Sequence, residues 1–278
     1  MVRNFMGMLK VKWEEKKFVC VGLDPKIEKI PECVTAKTDA SRLFLFGINI
    51  VDYTKETVCA YKPNIAFYAG FGPQGISALH KIIKYIKRVA PDVPVILDAK
   101  RADIGNTNFG YVEEAFDCFE ADAITVNPYF GREALQPFLD KKDKGIIVLC
   151  KTSNQGAGEF QDFPGTSKLL YEQVAWNVTN QWNKNGNCAL VTGATYTPDI
   201  AKIRRIIGDM PLLIPGIGTQ GGDLLKTVQV GKNSQNTGII INSSSGIIFA
   251  SKGKDYAKVA GEKTRELNEQ INKYRNGV

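Results

Sequence analysis

"VPVILDAKRADIGNT", residues 93–107, opens as an apolar run and ends in alternating charge: Asp98, Lys100 and Asp103 fall within six residues. Val93–Leu97 has the length of a strand and shows no apolar/polar alternation. A strand of that kind is covered on both faces, which is the habit of parallel sheets. The same pattern recurs outward in both directions. "FVCVGLD" (18–24) and "CAYKPN" (59–64) precede it, and "DAITVNP" (122–128), "GIIVLCK" (145–151), "CALVTGA" (188–194), "PLLIPGIG" (211–218) and "GIIINSS" (238–244) follow. Helix-like stretches at about 38–57, 74–90, 107–118, 131–141, 167–184, 197–208, 220–230 and 253–274 separate them. Eight βα units without a composition break predict a single (β/α)8 TIM barrel over residues 1–278 rather than an open doubly wound sheet.

Composition narrows the function. At 278 residues and 44% hydrophobic content the chain can bury a large core. Its +7 charge, from 36 basic against 29 acidic residues, is spread out, densest at Lys10–Lys17 and Lys252–Lys258. That balance suits an anionic small molecule as well as nucleic acid, and no concentrated basic patch interleaved with aromatics supports the latter. The six cysteines form no CxxC pair, "MVRNFMGMLK" lacks the features of a secretory signal, and no run approaches a membrane span. A soluble cytoplasmic protein with reduced thiols is expected. One histidine, His80, sits in a helical pattern and reads as an ordinary helix residue. A histidine-ligated metal site or a Ser-His-Asp hydrolase is therefore disfavoured.

In a (β/α)8 barrel, chemistry collects where strands end, and phosphate is often held after strands seven and eight. The residues closing the runs are Asp24; Lys62 and Asn64; Asp98, Lys100 and Asp103; Lys151, Thr152 and Ser153; Pro215, Gly216, Gly218 and Gln220; and Asn242 to Ser245. Converging charges are costly to desolvate unless paired, and an alternating Asp–Lys–Asp–Lys set satisfies that need. Each lysine is then held as an ammonium by nearby negative charge and serves as a proton donor. Asp98 and Lys100, two apart on a strand, point to the same side, while Asp103 falls on the loop beyond. From this pattern alone, a local salt bridge capping the next helix is an equal reading. "PGIGTQGG" (215–222) predicts a phosphate cradle at a helix beginning near residue 220. "KTSNQGAGEFQDFPGTS" (151–167) has the composition of a lid.

"VILDAKRADIGNT" resembles the signature of the orotidine 5'-phosphate decarboxylases, and "GLDP", "KPNIAFY" (62–68), "KTSNQG" (151–156) and "PGIGTQGGD" (215–223) match in order. The resemblance covers nearly the whole chain and is strongest to the longer, type 2 branch. It implies cofactor-independent conversion of orotidine 5'-phosphate to UMP and CO2, the last step of de novo pyrimidine synthesis. By position it implies Lys100 as the proton donor to C6 and Asp98 against the substrate carboxylate, with Lys62 and Asp24 extending the array towards the ribose. It further implies Ser153 at the pyrimidine edge, Pro215, Gly216, Gly218 and Gln220 around the phosphate, and a homodimer in which Asp103, Ile104 and Thr107 enter the neighbour's site. One position departs. Ser245 stands at the end of strand eight where the family usually places an arginine on the phosphate, leaving the hydroxyls of Ser243, Ser244 and Ser245 with the backbone, or Arg101 or Lys151, to compensate. The DxKxxD element alone is shared with phosphosugar aldolases and decarboxylases, which use a divalent cation. A non-catalytic nucleotide-binding relative is the other alternative.

Overall fold

Valine, isoleucine and leucine runs too short for helices become the strands, where branched side chains pack well on a pleated surface. The computed structural model describes residues 3–217 and 222–277. Among them the strands are β1 (Val19–Leu23), β2 (Val58–Pro63), β3 (Ile96–Arg101), β4 (Ala123–Val126), β5 (Gly145–Lys151), β6 (Cys188–Thr192), β7 (Leu212–Pro215) and β8 (Ile239–Ser243). Each lies in one of the expected runs to within a residue. All neighbouring pairs are parallel, in the order β2-β1-β8-β7-β6-β5-β4-β3. Single parallel bridges, Tyr61 to Val95 and Asn64 to Asp98, join β2 to β3 and bring the ends of the sheet together. The expected (β/α)8 barrel is what forms.

The helices are α1 (Phe5–Glu14), α2 (Asp39–Thr54), α3 (Ala66–Ala69), α4 (Gly72–Val89), α5 (Thr107–Glu113), α6 (Gly131–Leu139), α7 (Gly158–Gln161), α8 (Leu170–Asn177), α9 (Thr197–Ile207), α10 (Leu224–Gly231), α11 (Ser245–Ile248) and α12 (Tyr256–Arg275). The long ones surround the barrel. In α4, Ala78, Leu79, Ile82, Ile83 and Ile86 are buried at helical spacing, and each isoleucine contributes on the order of 1.5–3 kcal/mol. Among the described residues no helix is long and apolar enough to cross a membrane. All six cysteines are free thiols, four of them buried.

Helix α1 is absent from the sequence reading, because basic residues break up its apolar stripe. It seals the barrel's N-terminal end. Phe5, Leu9 and Trp13 are buried, the Trp13 indole donates to the Ile239 carbonyl at 3.0 Å, and Arg3 forks onto Asp122 at 2.8 and 2.7 Å. A second difference concerns α10, which starts at Leu224 rather than near residue 220. Its N-cap is Asp223, whose carboxylate accepts the Lys226 N–H at 3.0 Å. That carboxylate caps the first turn of α10, and Gly218 to Gly221 of the expected phosphate loop lie outside the described residues.

Candidate active site

At the C-terminal ends of the strands lies a cavity of about 590 Å³. Asp98 organises one wall. It is 7% exposed, and its two oxygens accept from Lys62 Nζ and Lys100 Nζ, each at 2.7 Å. The Thr125 hydroxyl donates to the same carboxylate at 2.9 Å and the Asn64 amide at 3.4 Å. Burial alone would push the Asp98 carboxyl up, but Lys62 and Lys100 together hold it well below the usual carboxylate range. Lys62, 4% exposed, shows the complementary balance: burial would lower its pKa, and Asp24 and Asp98 keep it above that of an ordinary lysine. Asp24 in turn accepts the Asn64 backbone N–H at 3.2 Å.

Lys100 reaches this point by a route that simple strand alternation does not give. Its backbone is left-handed, φ 49°, and the register with β4 slips between Leu97 and Arg101. The Lys100 N–H leaves the ladder and donates to the Thr125 hydroxyl at 3.0 Å. A non-glycine residue in that region is strained by about 1–3 kcal/mol and persists because its surroundings fix it. Its side chain is 47% exposed towards the cavity, against 9% for that of Asp98.

The opposite wall comes from β7 and β8. Pro215, Gly216, Ser244 and Ser245 line the cavity, and Gly216, with φ 99°, takes a turn closed to most other residues. The Ser244 hydroxyl donates to the Gly22 carbonyl at 3.0 Å and so ties β8 to β1. Gly218 and Gln220 lie outside the described residues. Leu149, Val191 and Leu213 give apolar lining, and Thr152, Ser153, Asn154 and Gln161 approach from the segment after β5. This segment folds back on itself: the Gln161 amide exchanges two 2.8 Å hydrogen bonds with Thr152.

Three comparisons with known proteins bear on this arrangement. Residues 17–259 match the model of the family described as "Orotidine 5'-phosphate decarboxylase / HUMPS family". The chain belongs to that family. Relatives named orotidine 5'-phosphate decarboxylase include one from Azoarcus sp. (strain BH72), 45% identical over 98% of this chain and 100% of the relative. Another, from Janthinobacterium sp. (strain Marseille), is 44% identical over 98% of this chain and 99% of its own. The structure of Leishmania donovani OMP decarboxylase superposes with a TM-score of 0.85 at 36% identity, covering 99% of this chain and 100% of that one. The UMP synthase of the same organism gives 0.88 at 37% identity, with 99% of this chain matching 57% of that longer chain.

Within this orotidine 5'-phosphate decarboxylase / HUMPS family chain, the residues read from sequence separate into two groups. Asp24, Lys62, Asp98, Lys100, Ser153, Pro215, Gly216, Ser244 and Ser245 share the cavity. Asp103, Ile104 and Thr107 do not line it; Asp103 and Ile104 sit on the loop beyond β3, where Ile104 is 61% exposed, and Thr107 opens α5. Asn108, fully buried, fixes that loop by accepting the Asp103 N–H at 2.9 Å and donating to the Asp103 carbonyl at 2.6 Å. The two basic residues suggested to replace the arginine are engaged elsewhere. Arg101 forks onto Glu114 at 2.9 and 2.8 Å. Lys151 is buried against Tyr171, bonded to Asp162. Sequence reasoning missed Thr125, the polar residue of an otherwise apolar β4, and Lys26 and Gln161 in the cavity lining.

Proposed function

We propose that the chain decarboxylates orotidine 5'-phosphate to UMP and CO2, with Lys100 as the proton donor to C6. Family membership and the named relatives spanning the chain support the reaction. The observation that carries the mechanism is the Lys62–Asp98–Lys100 array, a buried carboxylate held ionised between two ammonium groups. When the C6–carboxyl bond breaks, its electron pair remains on C6 in the plane of the ring. A fixed ammonium beside that carbon stabilises the charge as it develops and then delivers a proton. Asp98 orients Lys100 and faces the carboxylate that leaves as CO2. Lys62 and Asp24 engage the ribose, Ser153 the pyrimidine edge, and the β7–β8 wall the phosphate. Phosphate binding, remote from the reacting carbon, supplies energy for positioning and for ordering the segment after β5.

Residues 1–278 act as one barrel domain, and two copies pair across their cavity mouths so that Asp103, Ile104 and Thr107 complete the partner's site. Exposed Ile104, Phe109, Tyr129, Phe130, Phe160 and Phe163 support an interface on this end of the barrel. The free cysteines fit the cytoplasm.

The test follows the ultraviolet absorbance change as orotidine 5'-phosphate is consumed, in the presence of EDTA. Turnover is expected; a protein that binds the nucleotide without turnover would be a non-catalytic relative, and metal-dependent turnover of a phosphosugar alone would replace the assignment. Mixing Lys100→Ala and Asp103→Ala chains tests the shared site. Random pairing restores about a quarter of the sites, because half of the dimers are mixed and each holds one intact site. No recovery on mixing contradicts the shared arrangement.

A further inference from the structure

We propose that Lys26 supplies the positive charge that holds the substrate's phosphate. The inference rests on the nucleotide reading above and adds a residue to it. Five charged side chains line the cavity among the described residues: Asp24, Lys26, Lys62, Asp98 and Lys100. Lys62 and Lys100 are both bonded to Asp98 at 2.7 Å, and Asp24 adds its field to Lys62. Their charges are balanced inside the array before any ligand arrives. A nucleotide monophosphate brings a dianion that this balanced array cannot neutralise.

Lys26 is the remaining cation. It is exposed, and among the described residues its side chain makes no ion pair and no hydrogen bond. Its place in the chain puts it on the phosphate side. Strand β1 pairs with β8 through Val19–Ile241, Cys20–Asn242 and Val21–Ser243, and the Ser244 hydroxyl bonds to the Gly22 carbonyl. The turn that follows β1 therefore runs beside Ser243–Ser245, across the barrel from β4 and β5. Contact there is close: a Cβ on Gly22 would lie 2.7 Å from that of Ser244. Pro25 is buried and fixes the backbone just before Lys26, while the 3-10 turn Ile27–Lys29 fixes it just after. The result is a flexible four-carbon arm on a rigid base, at the rim of the wall that carries Gly216, Ser243 and Ser245. Arg101 and Lys151, the other basic candidates, are held by Glu114 and Asp162 and do not line the cavity. A lysine acts here as a point charge rather than a bidentate fork, so its hold on phosphate weakens with salt.

Calorimetric binding of UMP and of uridine to the full chain separates this role from a structural one. Lys26→Ala is expected to weaken UMP by about 10- to 100-fold, the range for a lost charge-assisted hydrogen bond, and to leave uridine unchanged. Lys26→Arg retains UMP affinity and Lys26→Glu loses more than Lys26→Ala. Unchanged UMP affinity in Lys26→Ala, with the wild type binding UMP and turning over orotidine 5'-phosphate, overturns the role of Lys26 and leaves the site reading intact. Equal loss of UMP and uridine also overturns it. A wild-type chain that binds neither compound overturns both.

Discussion

Replacing Asp98 by asparagine keeps the shape of the side chain and removes its charge, which makes it a direct probe of the buried array. The Lys62 side chain is 6% exposed and that of Asp98 9%, so the bond between them at 2.7 Å is shielded from water. The Lys100 side chain, 47% exposed, can turn outward once its partner is neutral. Lys62 cannot, and is left as a buried cation with Asp24 as its remaining counter-charge. Breaking a buried pair from one side costs about 3–5 kcal/mol. The lower end, about 3 kcal/mol, applies here because the asparagine carbonyl still accepts one hydrogen bond. In a chain of this size each kcal/mol moves the melting temperature by about 2–4 °C, so a fall of about 6–12 °C is expected. The assay is thermal melting at neutral pH of wild type, Asp98→Asn, Lys62→Met and the double variant. Removing the stranded cation as well makes the double variant less destabilised than the sum of the singles by at least about 1 kcal/mol. Additive effects, or an Asp98→Asn protein that melts with the wild type, would refute the view that Asp98 is the buried counter-charge of Lys62.

The same pair sets a pH signature. Asp98 is held below its ordinary pKa, so its stabilisation is complete above about pH 4 and is lost as pH falls through the folded value. Lys62 is held above its ordinary pKa, so its share is complete below about pH 10 and is lost only at higher pH. The melting-temperature gap between wild type and Asp98→Asn is thus flat from about pH 5 to 9 and closes in acid; a gap that varies across neutral pH contradicts the assignment. At Gly193 an added Cβ would meet Ser153 at 2.7 Å from its Cβ and 2.9 Å from its backbone nitrogen. Gly193→Ala should displace Ser153 and lower kcat/KM for orotidine 5'-phosphate by about 10- to 100-fold, and wild-type kinetics would remove Ser153 from the substrate contacts. Gln161→Ala deletes both hydrogen bonds to Thr152. Amide exchange over 152–162 should then quicken and UMP affinity fall by about two- to tenfold; unchanged exchange would show that Gln161 does not hold this segment.

The barrel was legible because each strand is apolar on both faces and each is followed by an amphipathic stretch, a pattern that few architectures use. Helix α1 escaped because its stripe, Phe5, Leu9 and Trp13, is interrupted by lysines that only tertiary contacts make sense of. The onset of α10 was misplaced because glycine spacing marks a turn without saying where the cap falls; the Asp223 side chain decides that. In the site, Asp98 and Lys100 were legible as a pair, but the reason they meet was not. Strand alternation suggests it, whereas the structure uses a left-handed backbone at Lys100 and a hydroxyl from β4. Thr125 and Lys26 carry no local motif. Their importance comes from which strands stand side by side, information that appears only once the sheet closes.

The proposed chemistry turns on Lys100. The direct measurement is the rate of orotidine 5'-phosphate loss by Lys100→Ala, with UMP binding measured on the same sample. Turnover is expected to fall by at least about 100-fold, the usual loss with a general acid, while UMP still binds. A Lys100→Ala protein that decarboxylates at the wild-type rate would contradict the mechanism.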